Sequence, residues 1–76
     1  MKLSDLHIGD RAVVKRIDAD SSLKQRLTSF GVGRGAEVGI EKYSIGKKTF
    51  EIFVDGTLIA LRDEEAKKIE VERVNG

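Results

Sequence analysis

His7 is the only imidazole in the chain. It lies in a polar stretch, residues 3–10 (LSDLHIGD), where a solvated loop side chain is expected and a general base is not. Ser21, Ser22, Ser29 and Ser44 offer hydroxyls, but no second histidine-type base accompanies them. Acyl transfer through a Ser-His-Asp arrangement is therefore excluded in its usual form. The carboxylate pairs Asp18/Asp20 and Glu64/Glu65 fit turn and helix-start positions better than acid/base partnership. Cysteine is absent, which removes disulfides, thiolate nucleophiles and thiolate-held metals together. One histidine without cysteine does not build a standard transition-metal site. Residues 18–22 (DADSS) begin like a calcium loop, yet Leu23 stands where that loop requires glycine and Ser29 where it requires a bidentate glutamate. No catalytic residue, metal site or cofactor is expected.

Two stretches resemble binding motifs. Residues 31–36 (GVGRGA) match the spacing of a dinucleotide fingerprint, but they follow an expected helix and precede an expected strand. The fingerprint needs the reverse order, so a turn cluster is the better reading. Arg34, Lys42, Tyr43, Lys47 and Lys48 make a local basic patch with a single aromatic. Single-stranded nucleic acid needs several exposed aromatic platforms. Here the aromatics are only Phe30, Tyr43, Phe50 and Phe53; Lys47 and Lys48 then read as a solvated loop, and no nucleic acid partner is expected.

The elements that must position these groups fit into 76 residues, room for one small domain over 1–76. Fourteen basic residues face thirteen acidic ones, a net charge of +1 that supplies no global field toward DNA or anionic lipid. The apolar fraction of 39% recurs along the whole length, which argues against disorder. No apolar run suits a signal peptide or a membrane span, so an intracellular protein without membrane insertion is expected. Proline is absent, and glycines punctuate instead: Gly9, Gly31, Gly33, Gly35, Gly46 and Gly56 separate apolar segments, while Gly76 is a mere terminus.

Residues 11–17 (RAVVKRI) read as a strand, with Val13 and Val14 adjacent as at a bulge. Residues 21–30 (SSLKQRLTSF) read as a helix with Leu23, Leu27 and Phe30 on one face, capping-box spacing at Ser22 and Gln25, and Gly31 as left-handed stop. Residues 36–45 alternate as a half-buried strand in which Gly39 marks a bend or a close backbone approach. Residues 49–62 (TFEIFVDGTLIALR) carry the strongest signal, a hairpin closed by Asp55-Gly56 in a type I′ turn. Pairing outward from that turn sets Phe53 opposite Leu58 and Ile52 opposite Ile59. Phe50, Ile52, Val54, Ile59 and Leu61 then share a core face, and Glu51, Phe53, Leu58, Ala60 and Arg62 share the other. Residues 63–68 form a short helical turn and residues 69–74 a closing strand. Five short strands with one capping helix predict a mainly β, partly open barrel, since a flat sheet would leave long edges exposed.

With catalysis, metal and nucleic acid set aside, protein–protein recognition remains. Candidate contacts are Phe53 and Leu58 on the mixed hairpin face, Leu23 on the first helical turn beside Lys24 and Arg26, and Tyr43 and Arg62. Leu27 and Phe30 are assigned to the core. Arg26 and Arg62 suit charge-assisted bonds to carboxylates, with Glu51, diagonal in the hairpin, as the expected partner of Arg62.

Several of these residues also carry a resemblance. Residues 3–6 (LSDL) with Gly9, residues 26–31 (RLTSFG), Gly35, Gly56 followed by Ala60-Leu61-Arg62, and Ala66 with Ile69 and Val71 together resemble the FeoA family of ferrous iron transport proteins. They are similar also to the SH3-like domain at the C-terminus of iron-dependent repressors. The chain departs from the family in lacking any proline and in having Phe30 where leucine is commoner. The resemblance implies an SH3-like barrel without enzymatic activity, in the cytoplasm, monomeric by default. It further implies an accessory or regulator of ferrous iron uptake that docks on the cytosolic side of a FeoB-type membrane transporter with a G domain. Gly9, Leu27, Phe30, Gly31, Gly35, Gly56, Ala60, Leu61 and Ala66 then read as scaffold. The alternatives are a small-barrel nucleic-acid module, whose affinity would fall steeply with salt, and a metal-responsive domain sensing ions near His7 or Asp18/Asp20. Arg26 or Arg34 as an arginine finger on a GTPase is a further elaboration.

Overall fold

Asp55 and Gly56 sit at φ 51° and 79°, both left-handed, as a type I′ turn demands. In the computed structural model, which describes residues 1–74, this turn joins β3 (Thr49–Val54) to β4 (Thr57–Arg62) in the register expected from the sequence. Gly76 and the end of the expected 1–76 domain lie outside the described residues. The remaining strands are β1 (Arg11–Ile17), β2 (Glu37–Tyr43) and β5 (Ile69–Arg73), with α1 (Ser21–Ser29) and the single-turn α2 (Asp63–Ala66) between them. All neighbours pair antiparallel in one five-stranded sheet of order β4-β3-β2-β1-β5 that is not closed. Several boundaries fall short of expectation: β2 stops at Tyr43 and leaves Ile45 fully exposed in a 3-10 turn, and α2 and β5 end at Ala66 and Arg73.

The expected inward hairpin face is the core: Phe50, Ile52, Val54, Ile59 and Leu61 are all buried, together with Val14, Leu27, Val38, Ile69 and others. Two irregularities tune which side chains join it. A register shift between Val14 and Arg16 places a bulge in β1 at Lys15, just past the adjacent valines expected to mark it; across the valines themselves the alternation holds, with Ala12 and Val14 buried and Val13 only partly so. A second shift, between Ile40 and Lys42 in β2, sets Tyr43 opposite Phe50 rather than Thr49. Tyr43 is thereby turned inward, half-buried, with its ring edge-to-face on Phe50 at 5.8 Å.

The helix corrects three expectations. Its N-cap is Asp20, whose Oδ1 accepts from the Leu23 N–H at 2.9 Å, so Ser22 and Gln25 form no capping box. Leu23 is half-buried against the core instead of standing out as a contact. Phe30, assigned to the core, is 44% exposed. The reason for the last lies in the helix stop. Gly31 at φ 88° reverses the chain; its N–H donates to the Thr28 carbonyl at 2.9 Å and the Val32 N–H to the Leu27 carbonyl at 2.8 Å. This is a Schellman closure, which brings the residue after the glycine back onto the last turn. Val32, fully buried beside Leu27, fills the place expected for Phe30.

The polar lead-in also proves structural. Leu3 and Leu6, in and after a 3-10 turn at Leu3–Asp5, are fully buried. Lys47, read as solvated, stands over the Tyr43 ring at 4.8 Å and donates to the Leu6 carbonyl at 3.3 Å, tying the β2–β3 connection to this segment.

Candidate functional site

Since opposite residues of antiparallel strands share a face, the register places Leu58, Phe53, Gly39 and Arg11 in one row across β4, β3, β2 and β1. This row lies on the outer face of the sheet. Phe53 is 40% exposed and Leu58 49%, although both are large apolar side chains. Gly39 contributes no side chain, so the face is notched beside Phe53. A Cβ there would lie 3.6 Å from Arg11 Cγ and 3.7 Å from the Asp10 carbonyl oxygen, ordinary contact, so the notch is shallow and walled by Arg11. With Glu37, Asp55 and Gly56 at its rim it forms a groove of about 640 Å³. The bend or close backbone approach expected at Gly39 is not found, since a side chain there would meet Asp10 and Arg11 only at ordinary contact distance.

Along β4 the same outer face continues through Ala60 to Arg62, with Thr49 opposite Arg62. There it meets α1: Arg26 and Phe30 line a groove of about 430 Å³ with Thr49, Ala60, Arg62 and Glu65. Three exposed apolar side chains, Phe30, Phe53 and Leu58, thus border one surface that ends in the Arg62 guanidinium. Lone exposed apolar residues are ordinary, whereas an apolar group with a polar rim suits an interface.

The structure divides the expected contacts unevenly. Phe53, Leu58 and Arg62 share the outer face. Arg26 borders it, but its guanidinium is committed to Glu65. Glu65 also accepts the Arg62 N–H at 2.9 Å, holding the β4–α2 junction. Arg62 does not pair with Glu51, which instead meets Lys42 Nζ at 3.2 Å, because the bulge in β2 brings Lys42 opposite Glu51. Tyr43 is turned inward, and Lys24 lines a separate groove on the far side of α1. Phe30, an apolar candidate on the helix assigned to the core, belongs instead to this surface, and the apolar Val32 after Gly31 is the signal that places it there; the Gly39 notch has no such signal in the sequence. Among the described residues no group of three or more His, Cys, Asp or Glu side chains is placed to hold a metal, and no helix is long and apolar enough to cross a membrane.

Two carboxylates are shifted from their ordinary range, Glu65 beside this surface and Glu70 on β5, away from it. Partial burial pushes the Glu65 carboxyl up, but the Arg62 N–H and the Arg26 guanidinium outweigh it and hold it below its ordinary value of 4.5. Hydrogen bonds from Lys2 and the Met1 amino group lower Glu70 to about 2. A carboxyl lowered on folding contributes stability that is complete above its unfolded value and lost as pH falls through its folded one. Stability is therefore expected to fall between about pH 4.5 and about 2. Glu70→Gln should flatten that part of the curve in urea titrations read by circular dichroism. An unchanged slope would show that Glu70 is not linked to folding.

A family model described as FeoA domain matches residues 1–73. A Campylobacter jejuni chain assigned as Fe(2+) transport protein A is 32% identical over 74 residues, 97% of this chain and 100% of that one. A Porphyromonas gingivalis Fe(2+) transport protein A/Fe(2+) transporter FeoB fusion protein is 29% identical over 75 residues, 99% of this chain and 9% of the fusion. Among solved structures, Chlorobium tepidum FeoA superposes with a TM-score of 0.93 at 34% identity, covering 100% of this chain and 72% of that one. Stenotrophomonas maltophilia FeoA, an SH3 domain protein solved in complex with zinc, gives 0.82 at 32% identity over 95% of this chain and 89% of that one.

Proposed function

Because this chain belongs to the FeoA domain family of Fe(2+) transport-associated proteins, we propose that it is a non-catalytic accessory of ferrous iron uptake that docks on the cytosolic side of a FeoB-type transporter. The supporting observation is the Porphyromonas gingivalis fusion, in which a relative of nearly this whole chain is joined covalently to such a transporter. Tethering raises the effective concentration of one module at the other to the millimolar range. Separate chains that meet without a tether must make up that advantage with contacts.

The outer hairpin face supplies them. Phe53 and Leu58 present adjacent apolar area, Phe30 extends it, and Arg62 ends it with a guanidinium that forms no ion pair within 4 Å among the described residues, although its charge is felt by Glu65. A standard interface takes about 800 Å² per partner, a moderate share of a surface of 4727 Å². In this reading the protein works by biasing the conformation of the transporter, and carries out no reaction of its own.

The test uses full-length FeoB-type transporter in lipid nanodiscs, added to isotope-labelled protein with GDP and with a GTP analogue. Amide signals of Phe30, Phe53, Leu58, Ala60 and Arg62 should broaden first and saturably. Uniform or absent broadening at the highest attainable concentration would remove docking as the function.

A further inference from the structure

β1 has β2 beside it only from Arg11 to Val13, whereas β5 accompanies it on the other side as far as Ile17. At Val14 the side of β1 toward β2 is still paired, its N–H donating to the Ala36 carbonyl at 2.9 Å and its carbonyl accepting from the Gly35 N–H at 2.8 Å; from Lys15 on it faces the loop that carries Arg34, and α1. The gap between them is a groove of about 420 Å³ lined chiefly by Lys15, Arg16, Ile17, Lys24, Thr28 and Arg34. Four of its lining side chains are cations and none is a carboxylate. Lys15 meets Glu72 at 3.4 Å and Arg16 meets Asp18 at 2.9 Å, both in exposed pairs of the kind worth little in water. Lys24 and Arg34 form no ion pair among the described residues. The near-neutral total hides this concentration: of fourteen basic side chains four line this groove, which leaves ten against thirteen acidic ones elsewhere.

We propose that this groove binds an extended, acidic segment of a partner protein. Charge complementarity selects an anionic occupant. The shape selects an extended one, because the groove runs beside a strand that lacks a strand neighbour on that side. Its lining selects protein over nucleic acid: Tyr43, Phe50 and Phe53 lie on β2 and β3 and Phe30 borders the other groove, so no aromatic platform is available here for bases. Thr28, one turn from Lys24 on α1, adds a neutral hydroxyl to the lining. The site shares no lining residue with the hairpin surface, so it goes beyond the docking reading. Lysine at an open strand edge also discourages edge pairing, but that protective role predicts no saturable binding.

The test is an amide titration at low salt with capped hexaglutamate, beside capped hexaglutamine, a twelve-residue oligo-dT and inorganic phosphate. Hexaglutamate alone should give saturable shifts on Lys15, Arg16, Lys24, Thr28 and Arg34. Lys24→Glu with Arg34→Glu should weaken it at least about tenfold, and the milder Lys24→Gln with Arg34→Gln should weaken it less; both exposed pairs should leave the melting temperature near that of the parent. Shifts spread evenly over all lysines, or binding retained in the charge-reversed variant, would overturn the proposal. So would tighter binding of oligo-dT, which assigns the groove to nucleic acid, or equal binding of phosphate, which assigns it to small anions. The probes contain no transporter, so failure here leaves hairpin docking standing, and failure of docking leaves this site standing.

Discussion

Phe50→Ala is expected to lower the melting temperature by roughly 15–30 °C, enough to leave much of the protein unfolded at 37 °C. Phe50 is fully buried and sits on β3 between Tyr43 of β2 and Leu61 of β4, with its ring edge-to-face on Tyr43. Truncation removes that contact and opens a cavity in the centre of the sheet, at a cost of about 3–5 kcal/mol. A chain of this length has only about 4–11 kcal/mol in total, and each kcal/mol moves the midpoint by about 4–8 °C. Thermal unfolding followed by circular dichroism measures it. Ile52→Val, which deletes one methylene at a neighbouring core position, should cost only about 0.5–1.5 kcal/mol. A Phe50→Ala midpoint within a few degrees of the parent would mean that the core does not depend on this ring.

The joint substitution Phe53→Ala with Leu58→Ala is expected to separate binding from folding. The two side chains face each other across β3 and β4 on the outer surface and are both exposed, so their loss costs folding only the cross-strand pair, about 0.2–1 kcal/mol. As apolar anchors of a docked face they should cost binding at least about 2 kcal/mol, roughly thirtyfold in affinity for the full-length transporter. Affinity measured on nanodisc-embedded transporter, with a melting curve for each variant, reads both quantities. Ile45→Ala is the matched control, since Ile45 is also a large exposed apolar residue but stands in the 3-10 turn between β2 and β3. If this control weakens binding as much as the hairpin pair does, the docking face lies elsewhere.

What the order of residues settled unaided is local. The Asp55-Gly56 turn sets the hairpin register because only one backbone geometry joins two strands through two left-handed residues. Once that register is set, strict alternation decides which face of Phe50–Leu61 is core. Ser21–Ser29 was legible as a helix, and Gly31 as its stop, for the same reason: each signal acts over a few neighbouring residues. The lack of cysteine and the single histidine narrow the chemistry whatever the fold.

Tertiary structure decided the remainder. Phe30 sits at core spacing in the sequence, but the reversal after Gly31 gives its place to Val32. Leu3 and Leu6 occupy a segment too short and too polar to show a period, and only contact with the rest of the chain buries them. Arg26 finds Glu65 thirty-nine residues away, and Arg62 loses Glu51 to a lysine moved by a bulge. The row from Leu58 to Arg11, and the groove that gathers Lys15, Lys24 and Arg34, join residues from three or four elements. Turn chemistry and alternation act between chain neighbours and so can be read in order. Which surfaces face outward together depends on how strands and helix pack across the whole chain, and no local pattern encodes that.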